Sequence, residues 1–69
     1  MKSNILTPRE KEIFELLTLN KSTNEVAQNL GISEKTVRNH ISNVMQKLEV
    51  KSRYNAVIEL IKLGELKIK

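Results

Sequence analysis

The chain has 69 residues, a net charge of +4 and no cysteine. This length allows one small domain over residues 1–69, and so small a core gains stability from a partner subunit. Without cysteine, and with a single histidine, the chain has no disulfide and no set of metal ligands. We therefore expect no metal and no cofactor.

The charge is distributed unevenly along the chain. Residues 1–32 balance four basic against four acidic side chains, whereas residues 33–69 carry eight Lys or Arg against four Glu. A polyanion would be attracted to the second half, although a solvated basic surface has the same composition. No apolar run is long enough to span a membrane and the first residues do not resemble a signal peptide, so we expect a cytoplasmic protein.

The capping signals along the chain indicate helices. Thr7-Pro8-Arg9-Glu10 and Ser22-Thr23-Asn24-Glu25 have the spacing of capping boxes, and strand signals are weak. Ser33 and Ser52 are placed to cap two further helices, while Gly31 and Gly64 are helix stops. The predicted fold is all-α, with helices over residues 8–19, 23–30, 34–48 and 53–63.

The second and third predicted helices are separated by the short turn Leu30-Gly31-Ile32-Ser33. A tight glycine turn between two helices is the arrangement of a helix-turn-helix, in which the second of the two helices lies in the DNA major groove. The same turn is also found in helix bundles that bind nothing. The spacing therefore predicts a helix-turn-helix fold and leaves DNA binding to be argued from the third helix.

The third predicted helix has two different faces. Val37, Ile41, Val44 and Leu48 form one buried stripe, with Met45 at its edge. The opposite face has no carboxylate after Glu34 and is rich in side chains that hydrogen-bond to base edges but favour helices poorly. This outer face of the third helix consists of Lys35, Thr36, Asn39, Ser42, Asn43 and Gln46, flanked by Arg38, His40 and Lys47.

Several basic or hydroxyl side chains surround that face and are candidates for phosphate contacts. Such contacts orient a protein on DNA and make its affinity depend on salt, but they do not read sequence. Ordinary surface lysines would have the same pattern. The candidates are Lys21, Thr23, Ser33, Lys35, Lys47, Lys51 and Arg53.

The fourth predicted helix has more apolar surface than one buried face requires. We expect Ala56, Leu60 and Leu63 to face the domain core, which leaves an apolar face for a second copy of the chain in a two-fold dimer. In the alternative, the first helix covers both sides and the chain is a monomer. The predicted dimer residues are Tyr54, Ile58 and Ile61.

These residues resemble the LuxR/FixJ-type helix-turn-helix family over nearly the whole chain. The motifs that carry the resemblance are Leu6-Thr7-Pro8-Arg9-Glu10, Asn24-Glu25-Val26-Ala27, Ile32 to His40, Lys47-Leu48, Val50 to Arg53 and Ala56-Val57. Most such domains follow a receiver or ligand-binding domain, which this sequence lacks. It is especially similar to a stand-alone member that regulates spore-coat genes in sporulating bacteria.

The resemblance implies a four-helix domain that dimerises through its fourth helix and controls promoters directly. It implies that Arg38, Asn39 and Ser42 read bases, and Asn43 is a further candidate on the same face. It also implies that Ser33, Lys35, Thr36 and Lys51 lie near phosphates. Arg38 lies at the flank of the outer face, so its base contact requires the full length of its side chain.

The expected function is that of a homodimeric, sequence-specific transcription regulator of sporulation genes. It would bind double-stranded DNA at the nucleoid. Without a receiver or sensor domain, its activity would be governed by how much of the protein is made. The alternative is a protein-interaction module that uses the same fold to bind RNA polymerase or another partner. An enzyme is not expected, because no nucleophile has a base at a recognisable spacing and so small a core offers no pocket.

Overall fold

The computed structural model describes residues 5–66. Within this range the chain forms four helices and no strand: α1 (Pro8–Thr18), α2 (Thr23–Leu30), α3 (Glu34–Leu48) and α4 (Arg53–Lys62). The predicted all-α fold is confirmed, and α1 and α4 each end one residue earlier than predicted.

Each helix begins at a side chain that satisfies its first backbone N–H groups. Thr7 and Ser22 form complete capping boxes with Glu10 and Glu25. Ser33 and Ser52 each accept a hydrogen bond at 3.1 Å from the backbone N–H three residues later. These local bonds explain why the helix starts could be predicted from short stretches of sequence.

Helix α3 lies at the centre of the fold and packs against all three other helices. Its buried residues are Val37, Ile41 and Val44, as predicted, whereas Leu48, predicted in the same stripe, is only half-buried. They meet Ile13 and Phe14 of α1 on one side. The rest of the buried core consists of Leu6, Val26, Ala27, Ala56, Leu60 and Leu66.

The end of α4 differs from the prediction. Leu63 was expected in the core, but it is 48% exposed and only Ala56 and Leu60 of this helix are buried. The helix ends at Lys62, and Gly64, with a φ of 78°, turns the chain away from the helical path. Leu66 is buried in the core after this turn, which leaves Leu63 facing solvent.

Candidate nucleic-acid interface

The turn between α2 and α3 has a defined geometry. Gly31 has a φ of 67°, a left-handed conformation that glycine adopts without steric cost. The backbone N–H of Ile32 donates to the carbonyl of Ala27 at 3.1 Å, which closes the end of α2. Ser33 then caps α3 by accepting from the backbone N–H of Thr36, so the bonds that define this turn lie within ten residues, 27–36.

The outer face of α3 is open to solvent along its length. Seven of its polar side chains, counting those on its flanks, are exposed, whereas Thr36 and His40 are half-buried. Residues 35–48 include no carboxylate, so this face has only neutral or basic groups. The seven exposed residues are Lys35, Arg38, Asn39, Ser42, Asn43, Gln46 and Lys47.

Glu34, at the first position of α3, joins two helices. Its Oε2 atom accepts a hydrogen bond from the Thr23 hydroxyl at 2.7 Å. The same atom lies 3.3 Å from Nη1 of Arg38, one turn further along α3. The spacing of Glu34 and Arg38 is readable in the sequence as an i, i+4 pair, but the bond from Thr23 depends on the fold.

The phosphate candidates other than Lys47 lie near the N-terminal ends of three helices, and Lys21 and Arg53 also line a groove between α1 and α4. Lys21, Lys35, Lys51 and Arg53 are exposed, and Thr23 is half-buried. The Ser33 and Thr36 hydroxyl oxygens lie 2.9 Å apart at the start of α3. The structure thus brings the candidates to the starts of α2, α3 and α4.

Among the basic candidates, Lys47 is the one that the described part of the chain shows with hydrogen-bond partners. Its Nζ donates to Oε1 of Glu10 at 2.7 Å and to the carbonyl of Ile5 at 2.9 Å. Glu10 is only 4% exposed, and its role as the partner of Lys47 was not predicted from the sequence. The two partners are 37 residues apart in sequence, so no local spacing signals the pair.

The environment of Glu10 changes its acidity. Burial by itself raises the pKa of this carboxyl, but the bonds from Lys47 and Thr7 together outweigh burial and lower the pKa below its ordinary value. The carboxylate is thus held in its charged form at neutral pH. This ion pair connects the start of α1 to the last turn of α3.

A second surface lies between the end of α1 and α4. Tyr54 is 75% exposed and Ile58 is 51% exposed, and Ile61 is half-buried beside them. With Leu17 and Leu19 they line a groove of about 330 Å³. The structure therefore brings the three predicted dimer residues together on one partly apolar face.

Among residues 5–66, no three His, Cys, Asp or Glu side chains come together as a metal site would require. None of the helices in this part combines the length and the apolar character needed to cross a bilayer.

The sequence matches a family model over residues 4–60, and that model describes bacterial regulatory proteins of the luxR family, named GerE. The chain belongs to the luxR family. The resemblance inferred from the motifs is therefore confirmed. The outer face of α3 is the exposed side of the second helix in a LuxR-type DNA-binding helix-turn-helix.

Relatives with known names share this domain. Spore germination protein GerE of Bacillus subtilis is 62% identical over 64 residues, covering 93% of this chain and 86% of that protein. The transcriptional regulatory protein DegU of Brevibacillus brevis is 47% identical over 66 residues, but the chain covers only 28% of its length. The luxR-family chain thus spans most of the first relative and about a quarter of the second.

A solved structure of the transcription factor GerE has the same fold. It superposes with a TM-score of 0.94 at 54% sequence identity, covering 97% of this chain and all of that one. The agreement confirms the four-helix helix-turn-helix architecture. Together with the family model, it identifies the chain as a transcription regulator with a LuxR-type DNA-binding domain.

Proposed function

We propose that the chain binds double-stranded DNA as a homodimer and places α3 of each copy in the major groove of one half-site. The observation that carries the proposal is the exposed outer face of α3, which is polar and has no carboxylate over residues 35–48. Dimeric helix-turn-helix proteins bind half-sites about 34 Å apart, or one helical turn. The apolar face of α4 supports the dimer, because it is exposed in a single copy.

The contacts divide by chemistry into two groups. Four exposed side chains of α3 would read base edges, with the Arg38 guanidinium suited to guanine and the Asn39 amide suited to adenine. Ser42 and Asn43 follow on the same face. The phosphate contacts would come from Lys21, Ser33, Lys35, Thr36, Lys51 and Arg53. Lys47 would contribute only if it leaves Glu10, and the Thr23 hydroxyl only if it leaves Glu34.

The biological role follows from the relative that the chain covers best among those described above. The name of the Bacillus subtilis GerE protein refers to spore germination, and its identity of 62% extends over 93% of this chain. We therefore propose that the regulator acts on sporulation genes, including those of the spore coat. As a DNA-binding protein of a bacterium it would act in the cytoplasm, at the nucleoid.

An interaction with RNA polymerase or another protein is the second candidate function. One observation favours it: a groove of about 580 Å³ is lined by residues of α1, α2 and the segment after α4, and not by α3. Lys11, Glu15, Leu19, Asn29 and Glu65 are among its lining residues. A protein could dock there while α3 remains on DNA.

The decisive experiment is selection of bound sequences from random duplex DNA, followed by titration of the best sequence at several salt concentrations. We expect two related half-sites with centres about ten base pairs apart. We also expect affinity to fall steeply with salt, because each phosphate contact releases counterions. Recovery of no motif, with a weak salt dependence and a monomeric protein, would favour the protein-interaction function instead.

A further inference from the structure

Glu34 is the only acidic residue of α3, and it lies beside Arg38 on the helix that would enter the major groove. A carboxylate in the first turn stabilises a helix, and the first turns of α1 and α2 also contain a glutamate. At the DNA surface, however, a carboxylate repels phosphates and lowers the affinity for all DNA. A role for Glu34 in DNA binding therefore depends on its particular contacts.

The contacts of Glu34 indicate that role. An exposed i, i+4 ion pair alone orders its partners only weakly, and the Glu34 and Arg38 side chains are 37% and 61% exposed. Here the carboxylate is also held by the Thr23 hydroxyl at 2.7 Å, from a different helix. Because α2 fixes the position of Oε2, the guanidinium of Arg38 meets an anchored partner rather than a mobile one.

Anchoring matters for an arginine that reads a base. The guanidinium donates two parallel hydrogen bonds to guanine only when its plane is correctly oriented, and the long side chain otherwise has many conformations. An unrestrained arginine also reaches neighbouring phosphates, which are the same at every sequence. A partner that limits its conformations thus favours base contact over phosphate contact.

We propose that Glu34 is a positioning residue that determines specificity: anchored by Thr23, it orients Arg38 for base contact and suppresses binding to random DNA. This inference rests on the proposed DNA-binding function. Glu34 would change the ratio between the affinity for the selected site and the affinity for random DNA, rather than change both affinities equally.

The test compares the Glu34→Gln and Arg38→Ala variants and the double variant with the unmodified chain. Glutamine keeps an oxygen that can accept a hydrogen bond from the Thr23 hydroxyl. The connection between α2 and α3 therefore remains while the charge is lost. Dissociation constants are measured for the best selected duplex, for its single base-pair substitutions and for a random duplex.

We expect Glu34→Gln to bind random DNA more tightly and to reduce the ratio of specific to random affinity roughly tenfold. The reduction should occur at the base pairs that Arg38→Ala also affects. In the double variant, the Glu34 substitution should have no further effect on the preference at those base pairs, because Glu34 acts through Arg38.

Glu12 in α1 provides a matched control, because it pairs with Arg9 at 3.6 Å. Glu12→Gln removes the same charge as Glu34→Gln. Glu12→Gln should leave the ratio unchanged, and thermal unfolding should show that each variant is folded.

The inference is overturned if Glu34→Gln leaves the ratio unchanged, or if it alters preference at base pairs that Arg38→Ala does not affect. The latter result would mean direct base contact by Glu34. Failure of the unmodified chain to select any motif would overturn the proposed function itself.

Discussion

Asn39 and Lys51 represent the two kinds of DNA contact at the scale of single residues. Asn39 is exposed on the outer face of α3, and Lys51 is exposed just before α4. Asn39→Ala should lose about 1–3 kcal/mol of discrimination at one base pair, because an amide that pairs with adenine is removed. Lys51→Ala should weaken binding to all sequences and reduce the salt slope by about 1. Titration of matched and random duplexes measures both effects.

Two control variants remove the same groups elsewhere. Asn55→Ala in α4 should leave base preference intact, and Lys11→Ala in α1 should leave the salt slope nearly unchanged, since both residues are exposed but neither is among the proposed DNA contacts. If Asn39→Ala and Lys51→Ala lower specific and random affinity equally, the division into base and phosphate contacts is wrong.

Lys47 is the residue for which structure and sequence suggest different roles. Removal of its ammonium would leave the Glu10 carboxylate buried without its charged partner. We expect Lys47→Ala to lower the free energy of unfolding by about 1–3 kcal/mol, the usual cost of an unsatisfied buried polar group. Urea unfolding at neutral pH measures the change. Lys62→Ala, an exposed lysine of α4, is the control and should have little effect.

The lowered pKa of Glu10 also predicts how stability depends on pH. A carboxyl with a lower pKa in the folded state stabilises the fold above its unfolded pKa, and this stabilisation is lost as pH falls through the folded pKa. The ordinary value is 4.5, so the loss should begin below about that pH.

Urea unfolding from about pH 6 to about pH 3 tests this dependence. Other carboxyls titrate in the same range, so the informative quantity is the difference between the unmodified chain and Lys47→Ala. The variant should lose less stability over this interval, because the Lys47 bond no longer lowers the pKa of Glu10. Equal losses in the two proteins would exclude the ion pair as the cause.

At the scale of the elements, the turn between α2 and α3 depends on Gly31. No atom lies within 4 Å of the place that a Cβ would take, so a substitution acts through the backbone rather than through a clash. Gly31→Ala should cost about 1 kcal/mol, because a side chain disfavours a φ of 67°. Gly31→Asn should cost less, since asparagine tolerates this conformation. Chemical denaturation ranks the three proteins, and an equal loss for both variants would contradict this explanation.

The helices could be predicted from sequence because their signals are local. Ser22 and Glu25, three residues apart, form the bonds that start α2, and Gly31 ends it. The Glu10–Lys47 pair could not be predicted in this way, since it requires α1 and α3 to pack together. Leu63 was misplaced because helical spacing was extended one residue beyond the end of α4.

In the candidate site, too, the features with local signals could be predicted from sequence, and the contacts between helices could not. The exposed face of α3 follows from the helical spacing of Val37, Ile41 and Val44, whose burial leaves the opposite side to solvent. The bond from Thr23 to Glu34 crosses from one helix to another, and its geometry depends on the turn between them. The sequence pattern therefore predicts which face of α3 is exposed, whereas the contact between Thr23 and Glu34 depends on how α2 and α3 pack.

At the scale of the whole molecule, the dimer depends on the exposed apolar face of α4. Ile58→Glu would place a charge in the proposed interface, so we expect the dimer to dissociate and affinity for the paired half-sites to fall. Leu63→Glu is a matched control, because Leu63 is 48% exposed against 51% for Ile58 but lies just after the end of α4, outside the groove that Ile58 lines. Sedimentation equilibrium measures the mass, and loss of the dimer in both variants, or in neither, would contradict the proposed interface.

The short turns between the helices have a kinetic consequence. Each of the four helices begins at a cap formed within four residues, and α3 meets its neighbours through connections of only a few residues. Helical proteins with such local contacts fold in about microseconds to milliseconds. A ribosome adds about 5–20 residues per second, which is far slower. The DNA-binding surface would thus be complete almost as soon as the chain emerges, and the timing of a response would be limited by translation rather than by folding.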